Sequence, residues 1–245
     1  MYQRLDAAIF FLLFSLSVGA YAENAKPISI LLDPGHTPTQ QGAMGVRGVY
    51  EVAYNDRFAA KLAAALRAAS FTVNLSRLPQ QSITLAERAA MANNGQYQLF
   101  LAIHHDSAQP MYLTPVDTSH PTIYRTVHPI AGYSIFVSKR NVQFAHSYRF
   151  AEQLGQSLHQ LGRLPTLHHA ENIAGEHREL LNVDLGVYRF DDLIVLAKTS
   201  IPAVLLEVGV IVDANDEQYV ANEANQEKMC AAIVRAVQTY VNTRH

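Results

Sequence analysis

Four places in the chain carry side chains able to hold a metal or move a proton. They are Asp33-Pro34-Gly35-His36, Glu51 soon after the glycine-rich stretch Gly42 to Gly48, His104-His105-Asp106, and Glu207 in Leu205-Leu206-Glu207-Val208-Gly209. Two histidines and a carboxylate fill three corners of a zinc tetrahedron and leave the fourth to water. Zinc held in that open form brings the pKa of its water toward ~7 and polarises a carbonyl. Hydrolysis then needs a second carboxylate, off the metal, to take the water's proton and pass it to the leaving group. Glu51 and Glu207 can fill the two carboxylate roles, and residue type alone does not say which takes which. Each group also has a plain reading: His36 as a turn cap, His104 as a hydrogen-bonded histidine at a strand end, Glu51 as a first-turn carboxylate favoured by the helix dipole. Glu207 resists such a reading, because a carboxylate directly after Ala203 to Leu206 is expensive to bury without a partner. Taken together, three of them at strand ends, the groups favour chemistry.

The elements that must position these groups follow from hydrophobic spacing. Ile28 to Leu32 is an apolar run stopped by Asp33-Pro34-Gly35, a strand and a turn. Val52, Ala59, Leu62 and Leu66 keep helical period between about Tyr50 and Ala69. Phe71 to Leu75 reads as a strand, and Thr84-Leu85-Ala86-Glu87 as a capping box opening a helix to about Asn93. Leu99 to Ile103 is continuously apolar, as a strand covered on both faces should be. Ser107 to Ala131 holds four prolines and no steady period, which predicts a long surface loop. Tyr133 to Val137 predicts a strand and Gln143 to Leu161 a helix, while Leu164 to Asp184 is ambiguous and leaves room for a short helix near Ala170 to Leu180. Leu193 to Ala197 fits strand or helix equally. Pro202 to Leu206 is a strand, and Asp216 to about Val241 one or two closing helices. Strands alternating with helices predict a single α/β domain, a twisted, mostly parallel (mixed) sheet with helices on both faces. Such sheets gather their chemistry past the C-terminal ends of the strands.

Composition sets the outer limits. The chain has 245 residues, 49% hydrophobic and 16% charged, with a formal net charge of −2. That is globular composition, with no basic excess to favour nucleic acid as a partner. Cys230 is the single cysteine, set among Met229, Ala231, Ala232 and Ile233; it reads as a small buried hydrophobe, not a nucleophile. Arg4, the apolar run Ala7 to Ala20 and Ala20-Tyr21-Ala22 have the three-part form of a secretory signal peptide over residues 1–22, with Glu23 as the first mature residue. The run is shorter than the ~20 apolar residues of a membrane span, so stable membrane insertion after cleavage is not expected. The expectation is an exported protein, periplasmic or secreted, with one domain over residues 23–245.

The motifs resemble those of the zinc-dependent N-acetylmuramoyl-L-alanine amidases, which split bacterial daughter cells and remodel the cell wall. The resemblance runs from Ile28 to about Tyr240. Ile30 to His36 looks like the family's opening strand and first zinc histidine, and Glu51 with Asn55 like its metal-binding glutamate. Val73 to Arg77, then Leu85 and Arg88, resemble a further family stretch. Ile103 to Asp106 looks like its histidine motif, with Ala102 where serine is usual. Leu193 to Leu196, then Ile201 to Gly209, resemble the segment that carries its catalytic glutamate, with Val210 in place of the usual phenylalanine. Thr37 to Gln41 departs from the family's common glycine-rich stretch.

The resemblance implies that His36, Glu51 and His104 bind one zinc ion per chain and that Glu207 is the general base. It leaves His105 a supporting role or none. Peptidoglycan becomes the expected partner, cut between N-acetylmuramic acid and the L-alanine of its stem peptide. Some relatives keep a helix over the zinc until an activator protein binds. The charge-rich segment His168 to Leu180 is either such a plug or, the preferred reading, a wall of the substrate groove. Tyr112, Tyr124 and His128 of the 107–131 loop are candidate glycan contacts. The competing functions are a zinc peptidase or carboxypeptidase acting on the stem peptide, and a catalytically silent wall-binding regulator.

Overall fold

The computed structural model describes residues 28–118 and 121–243. The signal-peptide segment lies outside the described residues. Among those described, no helix is long and apolar enough to cross a membrane.

Seven strands form one sheet in the order β2-β1-β3-β9-β6-β8-β7. These are β1 (Ser29–Pro34), β2 (Thr72–Leu75), β3 (Leu99–Asp106), β6 (Ser134–Val137), β7 (Glu179–Asn182), β8 (Val187–Arg189) and β9 (Ala203–Val210). The β2-β1-β3-β9 half is parallel throughout; β6 runs antiparallel to β9, and β7 to β8. The sheet is therefore mixed but mostly parallel. Alternation along the central strands explains the two-sided cover. Ile30, Leu32, Leu101, Ile103, Val204 and Leu206 face one core, while Leu31, Phe100, Ala102, Ala203 and Leu205 face another.

The larger core is covered by α1 (Glu51–Ala68), α3 (Phe144–Gln160) and α6 (Glu223–Thr243). Phe58, Leu62 and Leu66 of α1 are fully buried there, each burial contributing about 1.5–3 kcal/mol. The smaller core is closed by α2 (Leu85–Asn94), α4 (Ile194–Ala197) and Tyr188 of β8. The Thr84–Glu87 capping box forms as expected. Leu193 to Ala197 resolves to helix, and the closing segment to two helices, α5 (Ala214–Ala221) and α6. Cys230 is buried in α6, where desolvation pushes its thiol up to about 12.

Two expectations need correction. Residues 107–131 are not all loop: β4 (Leu113–Asp117) and β5 (Ile123–Thr126) pair as an antiparallel ribbon. Tyr112 and Ile130 pack with Val210 and Val212 beneath it, and this small apolar cluster anchors the proline-rich stretch. The short helix expected over 170–180 is absent. One 3-10 turn covers His168–Ala170, and the chain then enters β7. Its backbone pairs with β8 as an antiparallel hairpin, and β8 is in turn held by β6, a distant partner that local periodicity cannot reveal.

Candidate metal centre

The centre is assembled from the exits of β1 and β3 and the start of α1. His36 follows β1 with a positive φ of 62°, a conformation that turns its ring back over the sheet end. Two buried arginines hold that exit. Arg77 Nε donates to the His36 carbonyl at 2.7 Å and its Nη2 to the Gly35 carbonyl at 2.9 Å. Arg88 Nη2 also donates to the His36 carbonyl, at 2.6 Å, while its Nη1 pairs with the buried Asp33 carboxylate. Motif reading reaches Arg77 and Arg88 only as a resemblance; the structure shows them as the brace behind His36.

Glu51 opens α1. Its backbone N–H donates to the Ala43 carbonyl at 2.8 Å and that of Val52 to Gln41 at 3.0 Å, so the preceding loop satisfies free first-turn donors. The carboxylate reaches both histidines: Oε2 lies 2.8 Å from His36 Nε2, and Oε1 lies 3.0 Å from His104 Nδ1. Asn55, one turn on, donates to Oε1 at 3.1 Å. The β3–β9 register shifts between His104 and Asp106, and the His105 N–H there donates to the same oxygen at 3.2 Å. Burial alone would raise the Glu51 carboxyl, but His104 and His36 hold it well below the usual range.

His36, Glu51 and His104 thus offer two imidazole nitrogens and a carboxylate oxygen within 4.8 Å of one another. That donor set suits zinc and leaves a coordination position open. Two glycines make the space. A Cβ on Gly35 would stand 2.3 Å from the His104 ring, and one on Gly42, at φ +75°, would stand 2.4 Å from Glu51 Oε2. Both approaches are below contact distance for any larger residue. The three residues fit the metal that the sequence implies.

Glu207 sits on β9 in register with His104 of β3. Register partners on adjacent strands lie ~4.8 Å apart and point to the same face, so both side chains emerge together. They line a cavity of about 300 Å³ with Asp106, Phe136, His169, Glu176 and Arg178. Glu207 Oε2 is buried and has no hydrogen-bond partner. Burial, then the charges of Asp106 and Glu51, hold its carboxyl well above the usual range, a perturbation of the kind that marks proton-transfer groups. Gly209 lets the strand end approach α5: a Cβ there would come within 2.6 Å of Arg163 Nη2 and Val220. Arg163 pairs with Asp216 at 2.5 Å, and Asp216 in turn accepts the Val210 N–H at 2.7 Å.

His105 faces the opposite side, buried against Tyr54 and Phe58. Its Nδ1 bonds Asn55 Oδ1 at 2.7 Å, and burial pushes it down to about 3, so it is neutral and orients the Asn55 amide toward Glu51. That is a supporting role. Asp106, His169 and Glu176 are cavity residues to which motif reading assigns no role. The available signal is the His168-His169 pair close to Glu171 and Glu176 in a charge-rich segment. Of the expected glycan contacts, Tyr124 is exposed on the ribbon, whereas Tyr112 is buried, bonded to Glu171 and stacked edge-on by His128.

Comparison with known proteins agrees with this geometry. The chain is 26% identical over 222 residues to the probable cell wall amidase LytH of Staphylococcus saprophyticus, covering 89% of this chain and 60% of that protein. It thus spans less than two thirds of that relative's length. Among solved structures, an N-acetylmuramoyl-L-alanine amidase from Clostridium difficile 630 superimposes with a TM-score of 0.70 at 20% identity, covering 90% of this chain and all of that one. The CwlD amidase of Clostridioides difficile, solved in complex with the GerS lipoprotein, gives 0.65 at 20% identity over 88% of this chain and 98% of that one. At such identities these two likenesses show the fold. The family described as N-acetylmuramoyl-L-alanine amidase matches residues 30–239. With α1, β3, β9 and all but the first residue of β1 inside that span, the chain belongs to the N-acetylmuramoyl-L-alanine amidase family.

Proposed function

We propose that this protein is a zinc-dependent hydrolase that cleaves the amide bond between N-acetylmuramic acid and L-alanine in peptidoglycan. The observation that carries the reading is Glu207, whose Oε2 is buried without a hydrogen-bond partner, placed in register with His104 of the His36–Glu51–His104 set and lining the same cavity as His104. A purely binding module has no use for such a group.

His36, Glu51 and His104 would hold the zinc, which when bound supplies a Lewis acid that polarises the scissile carbonyl and acidifies water. Glu207 takes a proton from the attacking water as the new C–O bond forms. It then delivers that proton to the alanine nitrogen as the C–N bond breaks, so the amine leaves neutral. Asn55 and the His105 N–H keep Glu51 oriented, and Arg77 and Arg88 keep His36 in place. His169, Gly175, Glu176 and Arg178, from the segment weighed as plug or wall, line the cavity beside Glu207, which supports the wall reading.

Peptidoglycan is the partner this reading requires, and relatives named a probable cell wall amidase and an N-acetylmuramoyl-L-alanine amidase support it. CwlD's complex with GerS supports a protein partner as a secondary expectation. Residues 1–22 are proposed as the export signal, placing the mature start at Glu23 in the periplasm or outside the cell.

Digestion of purified peptidoglycan tests the reading. The expected products are intact stem peptides with a free N-terminal alanine. Shortened stem peptides would make the protein a peptidase, and binding without release would make it a silent wall-binding module. His36→Ala and His104→Ala should each remove one zinc equivalent together with the activity.

A further inference from the structure

Beside the centre, between the end of β3 and the 166–178 segment, a second group of side chains converges that the proposed reaction does not use. Asp106 Oδ2 lies 2.7 Å from His169 Nε2 and 3.6 Å from His168 Nε2. The three donor atoms fall within 4.8 Å of one another. Tetrahedral coordination at the ~2.0–2.1 Å bonds of zinc places ligand atoms roughly 3.3 Å apart, between the two measured separations.

What distinguishes this group from a chance cluster is how each member is held from behind. Asp106 Oδ1 accepts the Ser107 N–H at 2.8 Å, leaving Oδ2 for the cluster. His168 Nδ1 bonds the Thr166 hydroxyl at 2.9 Å. His169 Nδ1 bonds Glu176 Oε2 at 2.8 Å, and Gln109 Nε2 fixes the other Glu176 oxygen at 2.8 Å. Gly175, at φ +91°, admits that glutamine: a Cβ there would stand 2.8 Å from its Nε2. Each outer atom is thus occupied and each inner atom points at one spot. A carboxylate or hydroxyl behind a ligating imidazole is the arrangement that sets its tautomer and raises its basicity toward a metal. His168 Nε2 completes the argument, because it is buried and has no hydrogen-bond partner, in a residue only 3% exposed. An unmet buried nitrogen has a free-energy cost that a ligand at this spot would remove.

We propose that Asp106, His168 and His169 form a second divalent-cation site in the cavity wall, sharing no residue with the His36–Glu51–His104 set. Two imidazoles and one carboxylate suit a transition cation of the zinc class better than calcium or magnesium, which take oxygen ligands. The site joins β3 to the 166–178 segment and so pins the cavity wall to the sheet. It stands independently of the reaction proposed above.

Metal stoichiometry of the full chain tests it. Chelator-stripped protein is titrated with zinc, freed of unbound metal by gel filtration, and analysed for zinc per chain. The wild type is expected to hold two. His168→Leu and His168→Gln should each hold one, and His36→Ala should also hold one. The His168→Leu, His36→Ala double variant should hold none. Cobalt titration should show two visible absorption bands in the wild type, one of them lost in each His168 variant. Thermal unfolding in chelator checks that the variants fold. If the His168 variants bind as much zinc as the wild type, the site does not exist, and Asp106 simply holds a protonated His169. If instead only the metal removed by His36→Ala is missing from the wild type, the first centre fails and this one stands.

Discussion

The two walls of the cavity hold their polar groups by different means. On the sheet wall, His104 and Glu207 are placed by strand register, and Glu51 by the start of a helix whose first-turn donors the preceding loop satisfies. On the other wall, residues 166–178 contain one 3-10 turn and no strand, and side chains tie the segment to itself and to its neighbours: His169 to Asp106 at the end of β3, His169 to Glu176, Glu176 to Gln109. Backbone ladders position a group whatever its protonation, whereas ion pairs position it only while the charges last. The sheet wall is therefore rigid scaffolding for reactive groups, and the far wall is a charge-dependent closure. Its imidazole shows this: burial alone would lower His169, but Asp106 and Glu176 push it up to about 9, whereas His105 on the sheet side goes down to about 3.

The largest effect expected from this contrast is at Glu207. Glu207→Gln should lower the rate of stem-peptide release by ~10²–10⁴-fold, the range of a general acid–base group, with zinc content and fold unchanged. Rate and metal analysis on the same preparation check it. Loss of zinc together with activity would make Glu207 a ligand and blur the contrast between the walls.

A smaller effect is expected one layer behind the metal. Asn55→Leu removes the amide that bonds Glu51, the Gly35 carbonyl and His105. Loss of such a supporting partner typically weakens metal affinity ~10–100-fold, readable by chelator competition. Unchanged affinity would show that backbone placement of Glu51 suffices without its side-chain support.

The smallest effect is the one that separates the walls most directly. In metal-free protein, His169 binds its proton more tightly folded than unfolded. Its contribution is therefore fully present below about pH 6.5 and lost as pH rises through about 9. His105 has the opposite sign: its contribution is present above about 6.5 and lost as pH falls toward 3. The titratable groups facing His169 are Asp106, Glu176, His168 and Tyr188. His169→Gln should flatten only the alkaline limb of unfolding temperature against pH. The change is of the order of 2–4 °C for each kcal/mol in a chain of this size. An unaltered alkaline limb would mean that the Asp106–His169–Glu176 network carries no such charge.

Legibility follows the same division. Each of the four motifs sits at a strand end or helix start, and those elements announce themselves by local pattern: Leu99 to Ile103 by continuous apolarity, Thr84 to Glu87 by its cap, α1 by the spacing of Leu62 and Leu66. Where an element depends on a distant partner, local pattern misleads. The 113–126 ribbon exists because residues beneath it pack on Val210 and Val212, and the β7–β8 hairpin joins the sheet because β8 pairs with the distant β6. The same limit hides the roles of Arg77, Arg88 and Asn55, whose partners lie up to 55 residues away in the chain.

By itself, then, the sequence determined the α/β alternation, the chemical types at the strand ends and the family to which they belong. Side-chain period and residue type are local properties and need no partner to be read. Tertiary structure alone decided which atoms converge. It set His104 beside Glu207 by the register of β3 against β9, turned His105 away by the alternation of one strand, and brought Asp106 to His168 and His169 across 62 and 63 positions of chain. Convergence of that kind depends on how one sheet packs and pairs, and no spacing of residues along the chain contains it.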